Sequence, residues 1–182
     1  MKNLSLIIAA IFMVGMSCSS TKSTATQAEI DALTVLVKEK KFRIESNWAY
    51  PQSSAAMQSV LNSGIMQPGS SAGSINLVGN TNFLTISGDS ISSYLPYFGE
   101  RHMNVAYGGT DAGIEFKGLT ENYKSEVNKD NSYTITFLAK NNSENFNVTI
   151  KLFPNLKSNM YLSSASRNAI SYSGEVQRVT KK

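Results

Sequence analysis

The 182-residue sequence has one cysteine, one histidine and four prolines, and no block of like charges. A single Cys excludes an intramolecular disulfide framework and a thiolate zinc site, and a single His excludes any site that needs two imidazoles. No metal and no cofactor is therefore expected. Charged residues make up only 16% of the chain, and 17 Lys and Arg against 13 Asp and Glu leave a net +4 dispersed along it. Such a field is too weak to hold a polyanion, so nucleic acid is not an expected partner. What remains is 41% hydrophobic and 9% aromatic, which suits one globular domain rather than a disordered chain.

Residues 1–17 read as an export signal. Met1-Lys2 precedes the apolar run Leu4 to Met16, and small residues follow before Cys18. The run is about 13 residues, short of the roughly 20 that a spanning helix needs. The segment GMSC, Gly15 to Cys18, resembles the lipobox of bacterial lipoproteins, with Gly15 where Leu is usual. An exported lone Cys has no disulfide partner, and here it stands where cleavage would leave it first, so Cys18 is the expected lipidation site. Acyl chains such as palmitate on Cys18 would anchor the protein to a membrane without spanning it. Residues 18–26 then form the lipidated Cys and a small, polar tether, and residues 27–182 a single domain. No acidic cluster follows Cys18. By resemblance to sorting signals, this implies the outer membrane, facing the periplasm, with surface display as the alternative.

The domain starts with a helix expected over about Gln27 to Lys40. Thr26 and Glu29 have capping-box spacing, and Ile30, Leu33, Leu36 and Val37 form its apolar stripe. From Phe42 the period changes to 2, placing Phe42, Ile44, Trp48 and Tyr50 on one face of a strand closed by Pro51. Ser54 to Leu61 has the makings of a short helix before the turn at Pro68-Gly69. Strand-like runs follow at Ile75 to Val78, Phe83 to Ser87, Ile91 to Tyr94 and Gly113 to Lys117. The last third alternates most clearly, through Tyr123, Ser125 and Val127, then Tyr133, Ile135 and Phe137, then Phe146, Val148, Ile150 and Leu152. Two more runs, Met160 to Ser164 and Ala169 to Val179, complete the chain. The 26 Ser and 17 Asn suit many turns and half-wet strands. About eight or nine short strands after one N-terminal helix predict a mainly β fold, an antiparallel lipocalin-like barrel in meander order. A two-sheet β-sandwich is the alternative.

One segment stands out. Residues 94–99 read YLPYFG, where Pro96 removes an amide, restricts Leu95 to extended geometry, and lets Tyr94, Tyr97 and Phe98 mass aromatic surface at a bend. With AYGGTDAGIEF at 106–116, FRIESNWAYP at 42–51 and SRNAISYSGEV at 166–176, it resembles a family of Bacteroidota lipoproteins, the domain of unknown function forty-two fifty-one. The resemblance extends from about Ala28 to Val179. It implies a lipoprotein and, by analogy, a lipocalin-type barrel; the family has no established activity and supplies no catalytic residues.

For Tyr94, Leu95, Pro96, Tyr97, Phe98 and Gly99, a structural corner plugging one barrel end, with Gly99 at positive φ, is favoured over an aromatic rim for a ligand or partner. Trp48 joins these as a candidate binding residue. His102 lacks a nucleophile or second ligand and reads as a surface or hinge residue. Glu100, Asp111 and Glu115 could pair as in glycosidases, but nothing in the sequence sets their geometry. The glycines at 108, 109, 113 and 118 have no Lys-Ser/Thr after them and read as turns. Lys124, Lys129, Lys140, Lys151 and Lys157 interleave with Glu121, Glu126, Asp130 and Glu144 as a solvated face. Asp89-Ser90-Ile91 fits a loose O-glycosylation pattern at Ser90.

These readings exclude no single task but rank three. The first is a non-enzymatic lipoprotein binding a small apolar or amphipathic ligand inside the barrel, lined by Phe42/Ile44/Trp48, Tyr133/Ile135/Phe137 and Phe146/Val148/Ile150. The second is a solid-core envelope scaffold or protein-interaction module, with an envelope protein as partner. The third, an enzyme acting on envelope lipid or glycan, has no supporting constellation.

Overall fold

The computed structural model describes residues 25–52, 54–64, 66–102, 113–141 and 144–179. It opens with helix α1 (Gln27–Glu39), started by the expected capping box: the Thr26 hydroxyl accepts from the Glu29 amide, and the Glu29 carboxylate accepts from the Thr26 amide at 2.8 Å. Leu33, Leu36 and Val37 bury one face, and Lys40, in the left-handed region at φ 47°, ends the helix. Strand β1 (Lys41–Pro51) follows at once. The short helix anticipated near Ser54 is α2 (Ala55–Asn62), and β2 (Ile75–Asn76) pairs only with β1. The remaining strands are β3 (Phe83–Ser87), β4 (Ser90–Pro96), β5 (Gly113–Leu119), β6 (Glu121–Val127), β7 (Tyr133–Lys140), β8 (Asn145–Leu152), β9 (Lys157–Ser163) and β10 (Ile170–Arg178).

Every pairing is antiparallel, and the hydrogen-bonded order is β5-β4-β3-β1-β10-β9-β8-β7-β6. The outermost strands of that order, β5 and β6, are consecutive in the chain with only Thr120 between them. One continuous stretch, bent at Asn122 where φ is 55°, therefore pairs with β4 through its first half and with β7 through its second, and the sheet is a nearly closed barrel in meander order. Asn141, just after β7, donates to the Glu115 carbonyl of β5 at 2.9 Å, and the Phe116 and Phe146 rings pack at 5.8 Å. Both contacts tie the two sides together. The lipocalin-like antiparallel architecture is what the chain adopts.

Period-2 patterning fills the interior. Cross-strand partners such as Ile44 and Leu84, Ile135 and Ile150, and Val148 and Leu162 are each at most 1% exposed. Burying a side chain of this size contributes about 1.5–3 kcal/mol, so this core is the main source of stability. Helix α1 covers one end: Tyr133 donates to the Thr34 hydroxyl at 3.3 Å, Glu39 pairs with Arg178, and Lys40 meets Asp89 at 3.0 Å.

Strand β1 does not keep the expected strict alternation along its whole length. A bulge between Ser46 and Trp48 shifts the side-chain phase, so Phe42 and Ile44 point inward as expected, whereas Ala49 and Pro51 take over the inner face. Trp48 is half-buried and Tyr50 is 40% exposed on the outside. Asn82 supports the bulge, its amide accepting from the Ser46 N–H at 2.7 Å and donating to the Ser46 carbonyl at 2.9 Å. Across the bulge lies Gly174, where a Cβ would stand 2.0 Å from the Glu45 carbonyl oxygen. Only glycine lets the two backbones approach this closely.

Candidate functional site

Alternation along β4 sends the residues of the YLPYFG segment in different directions. Tyr94 is 43% exposed on the outer face, Leu95 is fully buried, and Pro96 ends the ladder opposite Gly113. Past the strand, Tyr97 and Phe98 pack partly buried against the core. The Tyr97 hydroxyl is 3.0 Å from both the Glu100 and Asn168 carbonyl oxygens, to which it donates, and the Tyr172 hydroxyl donates to the Pro96 carbonyl at 2.7 Å. Gly99 is not at positive φ; it is required instead by closeness, since a Cβ there would lie 2.5 Å from the Tyr97 hydroxyl. Tyr97 to Gly99 therefore form a corner at the barrel end away from α1. Trp48 lies apart from it on β1, beside Ser173 of β10 and Asn76 of β2.

Under the corner is an ion pair that the sequence conceals. Arg167 and Glu144 are 5% and 8% exposed and join through two prongs, one of them Nε to Oε1 at 3.0 Å. Arg167 also donates to the Gly113 carbonyl at 3.3 Å, and its guanidinium lies 4.7 Å from the Tyr97 ring centre. Glu144, read from sequence as part of a solvated face, is thus inside the fold, because the turn into β8 points it at Arg167 rather than at a neighbouring Lys. Burial pushes the Tyr97 phenol up and Arg167 pulls it partly back; burial also raises Tyr172.

His102 is exposed, with Nε2 2.6 Å from the Asn168 side-chain oxygen and its amide donating to the Ser166 carbonyl. Together with the backbone bridge between Arg101 and Arg167, these bonds fasten segment 97–102 to the loop before β10. Glu115 faces outward on β5, and Gly113 and Gly118 stand within that strand, paired with Pro96 and Ile91, rather than in turns; Asp111 and the glycines at 108 and 109 lie outside the described residues, as does Cys18. Ser90 is exposed at the start of β4, after a two-residue turn with Gly88 at φ 64°. Among the described residues no His, Cys, Asp and Glu side chains gather to hold a metal ion, and no helix is long and apolar enough to cross a membrane.

Two concavities lie on the outer face. One, of about 450 Å³, is bordered by Phe83, Tyr94, Glu115 and Asn141. The other, of about 460 Å³, crosses β1, β10, β9 and β8; Tyr50 borders it on β1, Ser171 and Ser173 follow on β10, Tyr161 and Asn159 on β9, and Thr149 lies beyond Tyr161 on β8. Tyr161 is 47% exposed, and the Tyr50 and Ser173 hydroxyls are hydrogen-bonded at 3.0 Å. The sequence pattern hid this surface because it assigned Tyr50 and Trp48 to the inner face.

No curated protein matches this chain. Among solved structures it is similar to the crystal structure of a DUF4251 family protein from Bacteroides eggerthii, with a TM-score of 0.54 at 14% identity over 83% of this chain and 88% of that one. That likeness concerns the fold. The family model for the domain of unknown function DUF4251 matches residues 24–176, most of the chain including the corner, the ion pair and the bulge, and the chain belongs to that family.

Proposed function

We propose that this protein is a lipoprotein held by Cys18 in the outer membrane, facing the periplasm, whose filled barrel is a non-enzymatic scaffold that binds through its outer surface. The observation that carries this reading is the contrast between the two faces of the sheet. Ile44, Leu84, Ile135 and Ile150 have no exposed surface, whereas Tyr50, Tyr94 and Tyr161 are 40–47% exposed on the outside. An apolar ligand inside the barrel would require the inner rows to separate, at the cost of packing that each supplies to the others. Ser90, exposed beside its turn, is the proposed O-glycosylation position in the same compartment.

Two measurements on the full chain test the reading. Metabolic labelling with an alkyne fatty acid should mark the wild type in the membrane fraction, and Cys18→Ser should lose the label and leave that fraction; equal behaviour of the two overturns the anchor. Solvent extraction of the purified protein should release no stoichiometric lipid. A stoichiometric non-covalent lipid would overturn the filled scaffold and establish the interior carrier.

A further inference from the structure

Resting on the outer-surface reading, we infer that the concavity between Tyr50 and Tyr161 is a binding site for an uncharged, extended glycan chain. Strand pairing places its side chains in two cross-strand rows. The first runs Tyr50, Ser171, Tyr161, Thr149 and the second Trp48, Ser173, Asn159, Lys151. Within the first row Tyr50 and Tyr161 are separated by one strand, so their backbones are two strand spacings apart, about 9.5 Å. The disaccharide repeat of an extended β-linked chain covers a comparable span, which lets the two tyrosines face alternate rings while the hydroxyls of β10 and the Asn159 amide meet the hydroxyls of the sugars.

The chemistry of the surface selects the class of ligand. Exposed aromatic rings offer flat apolar area with a polar tip, suited to the C–H faces of a pyranose. Ser171, Ser173, Thr149 and Asn159 both donate and accept, as a polyol requires. The one charged group bordering the site, Lys151, is already paired with Asp130 at 3.0 Å. The surface is therefore electrically balanced and complements a neutral chain better than a phosphate or a uronate. The hydrogen bond between the Tyr50 and Ser173 hydroxyls and the sheet below hold the platform in place before binding.

Trp48 is the only tryptophan and lies in the adjoining row, so its emission reports on this surface. The detergent-solubilised full chain is titrated with chitotetraose, cellotetraose and maltotetraose, following Trp48 emission and, in parallel, heat by calorimetry. At least one β-linked tetrasaccharide should give a saturable signal in both. Tyr161→Ala should weaken it at least tenfold with an unchanged melting temperature, and Tyr50→Ala should do the same; should Tyr50→Ala disturb the bulge, Tyr161→Ala on β9 stands alone as the test. Neither heat nor emission change with all three sugars, or equal binding by Tyr161→Ala, overturns the glycan site. That result leaves the outer-surface reading intact unless the extract also contains a stoichiometric lipid.

Discussion

Arg167 and Glu144 form a two-pronged ion pair inside the barrel end opposite α1, capped by the Tyr97 ring. Removing one partner leaves a buried charge without compensation, which costs about 3–5 kcal/mol. Glu144→Ala should lower the urea midpoint by that equivalent, and the double variant Glu144→Leu/Arg167→Met should be more stable than Glu144→Ala. Urea denaturation followed by circular dichroism checks both; a double variant less stable than the single would refute the account.

The corner at Tyr97 is held by its hydroxyl as well as by its ring. Tyr97→Phe removes the donor to Glu100 and Asn168 and should cost about 1 kcal/mol. Tyr97→Ala combined with Phe98→Ala should produce a much larger fall in melting temperature, because both rings pack on the core. An unchanged melting temperature in the double variant would show that the aromatics serve binding rather than the corner.

At the bulge, Gly174→Ala drives a methyl group into the β1 backbone at Glu45 and Ser46. A loss of about 1–3 kcal/mol is expected, as for other overpacked sites. Asn82→Ala leaves the Ser46 amide and carbonyl without their partner and should cost a similar about 1–3 kcal/mol. Thermal melts of the two single variants are sufficient to check these values.

The Asp130 carboxylate accepts from the Ser132 hydroxyl and from Lys151, and these bonds bring its pKa down to about 2. A depressed carboxylate supplies stability that is present above its unfolded value and is lost as pH falls through the folded one. Carboxyl chemical shifts should therefore show Asp130 titrating near pH 2, and Asp130→Asn should flatten the acid limb of the stability curve below about pH 4. At the alkaline end the sign reverses in direction of loss: burial raises Tyr123 to about 12, so its contribution is complete below the ordinary tyrosine value and fades as pH rises through about 12. Phenolate absorbance should consequently develop late for this residue.

How much was legible follows from the range of each interaction. The capping box of Thr26 and Glu29, the hairpins between β6 and β8, and the alternation of Ile135, Phe137, Val148 and Ile150 depend on neighbours a few residues apart, and all are found where the pattern put them. The phase of β1 was misread because a bulge inserts one residue without any local mark; its causes, Asn82 and Gly174, stand 36 and more residues away in sequence. Glu144 and Arg167 are separated by 23 residues and look like ordinary surface charges until two strand ends place them together.

By itself, then, the sequence determined the class of fold, through period and turn chemistry, and the family, through the stretches around YLPYFG. Tertiary structure decided which face each aromatic of β1 and β4 presents, and that Tyr97 and Phe98 pack on the core at the barrel end away from α1. It also decided that β5 and β6, one continuous stretch, bring the sheet round on itself. The physical reason is the same in each case. Side-chain direction and burial are set by long-range register, and a single-residue slip in that register exchanges the inside of the barrel for the outside.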